Sequence, residues 1–244
     1  MPVKVLTAVP VYNEERHVLP ILQLIREWCS DILVVDDGST DRTPLLLQEM
    51  ENIEVIRHEP NQGYGGALRS AFQYALDHDY DVLVTIDCDG QHQPQLIPEL
   101  AAAIFPEDEP PYDIVSGSRY LQEFEENTAA PPERRRINLA INQRLQNCYG
   151  LRLTDSFCGF KAYRVEALRK FEITELGYAM PLQLWVQAVR HRMRIREFPV
   201  PLIYTDEERS FGVSLDDADR RLRYYEDVLK REMLAQQTPC GSVR

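Results

Sequence analysis

Short apolar runs alternate with segments of helical period along the first half of this chain, and no other feature narrows the fold class as far. Runs at residues 3–9, 32–35, 53–57, 82–86 and 114–117 read as strands, and segments at 14–28, 44–50, 63–78 and 94–105 read as helices. The helical reading comes from apolar residues that recur on one face: Val18, Ile21, Leu22, Ile25 and Trp28 in the first, and Ala67, Leu68, Ala71, Phe72 and Ala75 in the third. Pro20 either kinks the first helix or marks a later start. Ser39-Thr40-Asp41 supplies an N-cap signal ahead of 44–50. Parallel strands need a crossover, and a helix after each strand provides one, so the chain is expected to be α/β with a mostly parallel sheet covered on both faces.

The rhythm breaks at 106–111 and again at 122–132, the latter rich in Glu, Asn, Ala and Pro and read as an exposed, mobile loop. Beyond it, 136–149, 180–191 and 216–235 read as helices and 195–204 as a late strand. The last helix is charged, with Leu222, Tyr225 and Leu229 on an inward stripe sized to dock on its own domain or on a twin subunit, so a homodimer is an open expectation. The 244 residues suit one domain, and the chain shows no internal repeat.

Composition excludes several function classes. The net charge of -12 argues against sequence-independent nucleic-acid binding and against electrostatic adhesion to anionic lipid, both of which need a basic surface. No apolar run approaches the roughly 18–20 residues of a membrane span. No signal peptide is visible, and the five scattered cysteines fit reduced thiols rather than a disulfide framework or zinc site, so a cytoplasmic protein is expected.

In open parallel sheets, ligands bind outside the carboxyl ends of the strands. Four successive strand ends carry unusual polar residues: Pro10-Val11-Tyr12-Asn13-Glu14-Glu15, Asp36-Asp37-Gly38-Ser39-Thr40-Asp41, Asp87-Cys88-Asp89-Gly90-Gln91-His92 and Gly117-Ser118-Arg119-Tyr120. Any one of these alone reads more readily as a turn, but four at successive strand ends are much harder to dismiss. Asp87 and Asp89 alternate on an extended segment and can share one side. Two unpaired carboxylates held together repel, a divalent cation removes the conflict, and such a cation also binds phosphate oxygens. Gln91 continues the spacing with a neutral oxygen. Asp36 or Asp37 can hydrogen-bond a base or ribose, the glycine-rich turn Asn61 to Gly66 lets backbone approach a phosphate or sugar, and Arg119 can offset diphosphate charge.

These motifs, in this order, resemble family 2 glycosyltransferases of the GT-A fold from about Val3 to Gly212, and among them the polyprenyl-phosphate (dolichol-phosphate) mannosyl- and glucosyltransferases. The likeness is carried by the Val34-to-Asp41 and Asp87-to-Gln91 segments, by Gly117-Ser118-Arg119-Tyr120 and by Asp155-Ser156-Phe157-Cys158-Gly159-Phe160-Lys161-Ala162. The resemblance implies a single transferase domain: a nucleotide-sugar half over about 1–120, an acceptor half over about 121–215, and a C-terminal helix and tail over 216–244. It implies that Pro10, Tyr12, Glu14 and Asp37 line the nucleotide pocket with Asp36 beside them. It implies Mg²⁺ or Mn²⁺ among Asp87, Asp89 and Gln91, Arg119 near the diphosphate, and Arg135, Asp155 and Arg209 on the acceptor side. The donor would be a nucleotide-diphosphate hexose of the GDP-mannose or UDP-glucose type, and the acceptor a lipid phosphate or a glycan hydroxyl.

Three positions depart from the pattern: Leu215 where these relatives end Arg-x-x-Gly-x-Ser-Lys, Gln183 where many carry Glu, and Asn138 where many carry Ser. All three fall on the acceptor side. Inverting displacement at the anomeric carbon needs a stabilised leaving group, which a metal at Asp87/Asp89 and Arg119 would provide. A hydroxyl acceptor also wants a carboxylate base, for which Asp155 is the remaining candidate, whereas a phosphate monoester, largely dianionic at neutral pH, does not. The missing carboxylate points to polyprenyl phosphate and the missing lysine away from it. Arg134, Arg135 and Arg136 could bind an acceptor phosphate, although three arginines beside a loop more often form a solvated face. Two rivals are a phosphatase with an Asp-x-Asp-Gly nucleophile, which wants that motif after its first strand, and a nucleotide-sugar-binding protein without transfer.

Overall fold

The computed structural model describes residues 2–204 and 215–237. One seven-stranded sheet organises them, with strands β1 (Val5–Val11), β2 (Asp31–Asp36), β3 (Glu54–Arg57), β4 (Val82–Thr85), β5 (Ile114–Ser118), β6 (Lys161–Arg164) and β7 (Ile195–Pro199) in the order β3-β2-β1-β4-β6-β5-β7. All pairings are parallel except those of β6, which runs antiparallel to both β4 and β5. The chain lays β2 and β3 to one side of β1 and then returns to place β4 on the other. That reversal opens a crevice at the carboxyl ends of β1 and β4, where doubly wound sheets bind ligands.

The helices are α1 (Val18–Arg26), α2 (Thr43–Gln48), α3 (Tyr64–Asp77), α4 (Ile97–Ala102), α5 (Pro132–Tyr149), α6 (Val165–Leu168), α7 (Met180–Arg190) and α8 (Ala218–Gln237). β1, β2, β4 and β5 are apolar on both sides, and two cores result. Leu6, Leu33 and Leu83 point to the layer of α3, α5 and α7, and Val9, Val34 and Val84 to the layer of α1 and α4. α1 begins at Val18, so Pro20 sits in its first turn, where no backbone donor is needed. β7 ends at Pro199, short of the expected 204, because Pro199 and Pro201 cannot donate to a ladder. The loop at 122–132 is tied down: Thr128 N donates to Leu202 O at 2.7 Å, and Leu202 N donates to Asn127 Oδ1 at 2.8 Å.

α8 is part of the domain. Tyr225, Val228 and Leu229 are buried, with Leu222 half-buried beside them, so the apolar stripe is taken up by the chain's own core. Polar ties reinforce it: Arg144–Glu226 at 3.0 Å, Arg231–Glu175 at 2.7 Å and Tyr149 Oη donating to Leu229 O at 2.8 Å. Gln183, buried on α7, donates to Glu232 Oε1 at 2.6 Å and accepts from the backbone N–H groups of Thr174 and Glu175. Its amide therefore fastens α8 and a loop and does not line the cleft.

Candidate active site

The crevice is a cleft of about 880 Å³. Pro10, Tyr12, Glu14, Asp37, Asp87, Asp89, Gln91 and Arg119 all line it, as the strand-end reading expects. The loops after β1 and β2 are locked together around Asn13, which adopts φ 56°. Its Oδ1 accepts from Thr40 N at 2.8 Å, while its own N–H and that of Glu14 donate to the hydroxyls of Ser39 and Thr43, each at 2.9 Å. This interlock sets the nucleotide-side wall.

The neighbouring carboxylates Asp36 and Asp37 separate. Asp36 does not line the cleft; it is 1% exposed, accepts from Ser39 N at 2.9 Å and lies 3.7 Å from Arg57. It shapes the turn, so the expectation that it joins the ligand-facing set is corrected. Asp37 lines the cleft and organises the glycine-rich turn: it accepts from His58 Nδ1 at 2.6 Å and from the N–H groups of Gln62 and Gly63 at 2.8 Å each.

Asp87 and Asp89 sit just beyond β4. Burial, and then the charge of Asp89, pushes the Asp87 carboxyl up to about 6. Tyr64 Oη donates to Asp87 Oδ1 at 3.3 Å, and His92 Nε2 lies 3.8 Å from Asp87 Oδ2. Burial pushes the His92 imidazole down to about 4, which keeps it neutral. Gly159 faces the carboxylate with bare backbone; a Cβ there would fall well inside the van der Waals contact distance of Asp87 Oδ2. Below, buried Lys161 donates through Nζ to the Cys158 carbonyl. Among the described residues, no group of three or more His, Cys, Asp and Glu side chains could enclose a metal. The set on offer is two mutually repelling carboxylates and the Gln91 amide oxygen. That all-oxygen, incomplete set is of the kind a hard divalent cation such as Mg²⁺ or Mn²⁺ would accept, with room left for oxygens the protein does not supply.

Arg119 lines the same cleft, and its charge acts on Asp87. Its Nε and Nη2 donate to the two oxygens of Asp155 at 2.6 and 3.0 Å, a bidentate pair in which Asp155 is fully buried. Burial alone would raise the Asp155 carboxyl, but the Arg119 guanidinium overrides it and holds it below the ordinary carboxylate range. Asp155 does not line the cleft, and it stands behind Arg119. This geometry corrects its expected role as base: a carboxylate already bidentate to arginine cannot take a proton from a substrate.

In the run Arg134-Arg135-Arg136, Arg134 rather than Arg135 lines the cleft; the Arg135 guanidinium lies over Tyr120, 3.7 Å from the ring centroid. Arg209 lies outside the described residues. Asn138 lines the cleft and grips the segment before β6, accepting from Ser156 N at 3.1 Å and donating to Thr154 O at 3.1 Å. Sequence reasoning offered Arg134 only within the run Arg134-Arg135-Arg136, gave Tyr64, His92 and Gly159 no role of their own, and missed Arg221 as a wall residue. His92 and Gly159 had a signal, since each lies inside a quoted motif.

Residues 7–171 match the profile of the family described as glycosyl transferase family 2. The chain is a family 2 glycosyltransferase. It is 33% identical over 220 residues to the undecaprenyl-phosphate mannosyltransferase of Micrococcus luteus, covering 86% of each chain. It is also 33% identical over 208 residues to the dolichyl-phosphate hexose transferase of Haloferax volcanii, covering 84% of this chain and 83% of that one. Among solved structures, it superposes with TM-score 0.69 and 18% identity on the Mycobacterium tuberculosis glucosyl-3-phosphoglycerate synthase holding Mn²⁺, UDP-glucose and phosphoglyceric acid, covering 94% of this chain and 79% of that one. That likeness establishes the GT-A fold. A family 2 transferase places Asp87-Cys88-Asp89 after β4, inside the sheet, which removes the phosphatase alternative with its motif after a first strand. Among the described residues, no helix is long and apolar enough to cross a membrane.

Proposed function

We propose that this transferase moves a hexose from a nucleotide-diphosphate donor to polyprenyl phosphate, with inversion and with Mg²⁺ or Mn²⁺ held by Asp87, Asp89 and Gln91. One observation carries the choice of acceptor. Every described carboxylate lining the cleft (Glu14, Glu15, Asp37, Asp87 and Asp89) belongs to the nucleotide half, while the chain beyond it contributes Arg134 and Arg221. A hydroxyl acceptor would need a base there. A phosphate monoester needs none and is attracted by the arginines. The names of the two relatives at 33% identity point the same way.

In the reaction, a phosphate oxygen of the acceptor attacks the anomeric carbon from the face opposite the leaving group. As that C–O bond forms, the bond from the anomeric carbon to the donor's diphosphate breaks, and its electron pair leaves with the nucleoside diphosphate. When bound, the metal supplies Lewis-acid stabilisation of that departing charge. Asp37 and the β1 loop hold the nucleoside. Arg119, immobilised by Asp155, presents Nη1, which has no hydrogen bond to the described residues, as a donor to the diphosphate. Asp155 is thus a positioning residue. The protein meets its lipid peripherally, at the cytoplasmic face.

The test is product analysis with GDP-mannose and UDP-glucose, Mn²⁺ and a short-chain polyprenyl phosphate. The reading expects one glycosyl phosphate lipid per nucleoside diphosphate released. Transfer only to a phosphate-free alcohol or glycan would overturn the acceptor assignment. Donor binding without any turnover would support the binding-protein alternative.

A further inference from the structure

We propose that the first turn of α8 supplies the seat of the acceptor's phosphate monoester, with Arg221 as its principal cation and Arg134 and the Tyr225 hydroxyl as partners. The proposal deepens the transfer reading above and rests on it.

Arg221 is the fourth residue of α8 and only 4% exposed, yet it lines the cleft. Its Nη1 donates to the backbone carbonyl of Leu215 at 2.8 Å. That bond holds the guanidinium against the segment entering α8 and keeps its charge at the cleft wall. Arg134 comes to the same cleft from the first turn of α5 and lies 5.6 Å from the Tyr204 ring centroid. Both guanidinium charges act on the Tyr225 hydroxyl, which burial nevertheless pushes up to about 12, so that it remains a donor at neutral pH.

The convergence matters more than any single arginine. Two guanidiniums and a hydroxyl, brought together from two helices, match a phosphate dianion, whereas a phosphate-free alcohol offers them little. Phe157 packs against Tyr225 with ring centroids 4.9 Å apart and also lines the cleft, giving an apolar wall for the carbons that follow the phosphate. The ties of α8 to α5, α7 and the Glu175 loop hold Arg221 on a fixed support, as a binding group requires.

Arg221→Met, Arg221→Lys and Tyr225→Phe separate this from a structural role. KM is measured for a short-chain polyprenyl phosphate and for 3-phosphoglycerate, alongside kcat, nucleoside diphosphate affinity and melting temperature. Arg221→Met should raise the KM for polyprenyl phosphate roughly ten- to a hundredfold, the scale of one lost charge-assisted hydrogen bond, with a smaller change in kcat and unchanged nucleotide affinity. Arg221→Lys should recover part of the loss, and Tyr225→Phe should cost less. An unchanged KM in Arg221→Met, or a parallel fall in nucleotide affinity and melting temperature, overturns the seat while leaving the transfer reading intact. If the wild type uses 3-phosphoglycerate instead and Arg221→Met raises that KM, the phosphate seat stands and the lipid reading falls. If the wild type transfers only to phosphate-free acceptors, both fall.

Discussion

Replacing Asp155 with Asn would strip Arg119 of its charge partner at a site where water cannot take over. Asp155 has no exposed surface and the Arg119 side chain is 13% exposed, so the variant leaves a largely buried guanidinium facing a neutral amide. Breaking such a pair from one side costs about 3–5 kcal/mol. For a chain of this size each kcal/mol lowers the melting temperature by about 2–4 °C, so a drop of roughly 6–20 °C is expected. Removing both partners in Asp155→Asn/Arg119→Met should restore more than half of the lost stability, because no unpaired charge remains. The pH dependence has a definite sign. Because the folded carboxyl lies below its unfolded value of about 3.9, its contribution is fully present above about pH 4 and is lost as pH falls through the folded pKa. Asp155→Asn should therefore flatten the acid limb of a melting-temperature profile between pH 2 and 5. Calorimetry should also show weaker nucleoside diphosphate binding as Arg119 loosens. A variant that melts within about 2 °C of wild type, binds nucleotide normally and has lost only kcat would refute this reasoning and reinstate Asp155 as a base.

Two further substitutions probe the supports of the site. Gln183→Glu sets a carboxylate against Glu232, now 2.6 Å from the Gln183 amide, and should destabilise by about 1–3 kcal/mol with faster hydrogen exchange in α8; adding Glu232→Gln should reverse most of it. Gly159→Ala forces a Cβ onto Asp87 Oδ2 and should weaken Mn²⁺-dependent nucleotide binding at least about tenfold, read by calorimetry, while metal-free nucleotide binding changes less.

The strand–helix rhythm was legible because burial on both faces demands unbroken apolar runs, and the carboxyl-end rule places the cleft from the sequence. β6 was not legible. Lys161-Ala162-Tyr163-Arg164 is short and bracketed by charges, and only its place between β4 and β5 makes it a strand. Adjacent residues were the other blind spot. Asp36 and Asp37 differ by one step of backbone, Arg134 and Arg135 by about 100° of helix, and in each pair one side chain reaches the cleft while the other serves the scaffold. Gln183 reads as altered acceptor chemistry in sequence, yet its amide is consumed by Thr174, Glu175 and Glu232. Arg221 carries no local motif at all; its role depends on α8 folding back over the domain.

The central claim is that Asp87 and Asp89 bind the donor's diphosphate through a divalent cation. Calorimetric titration of nucleoside diphosphate and nucleotide sugar into wild type and Asp89→Asn, each with and without Mn²⁺, tests it most directly. The account predicts that Mn²⁺ strengthens binding to the wild type by at least about tenfold, and that Asp89→Asn loses this enhancement while keeping its melting temperature. Equal affinities with and without Mn²⁺ in the wild type, or an enhancement that survives Asp89→Asn, would contradict it.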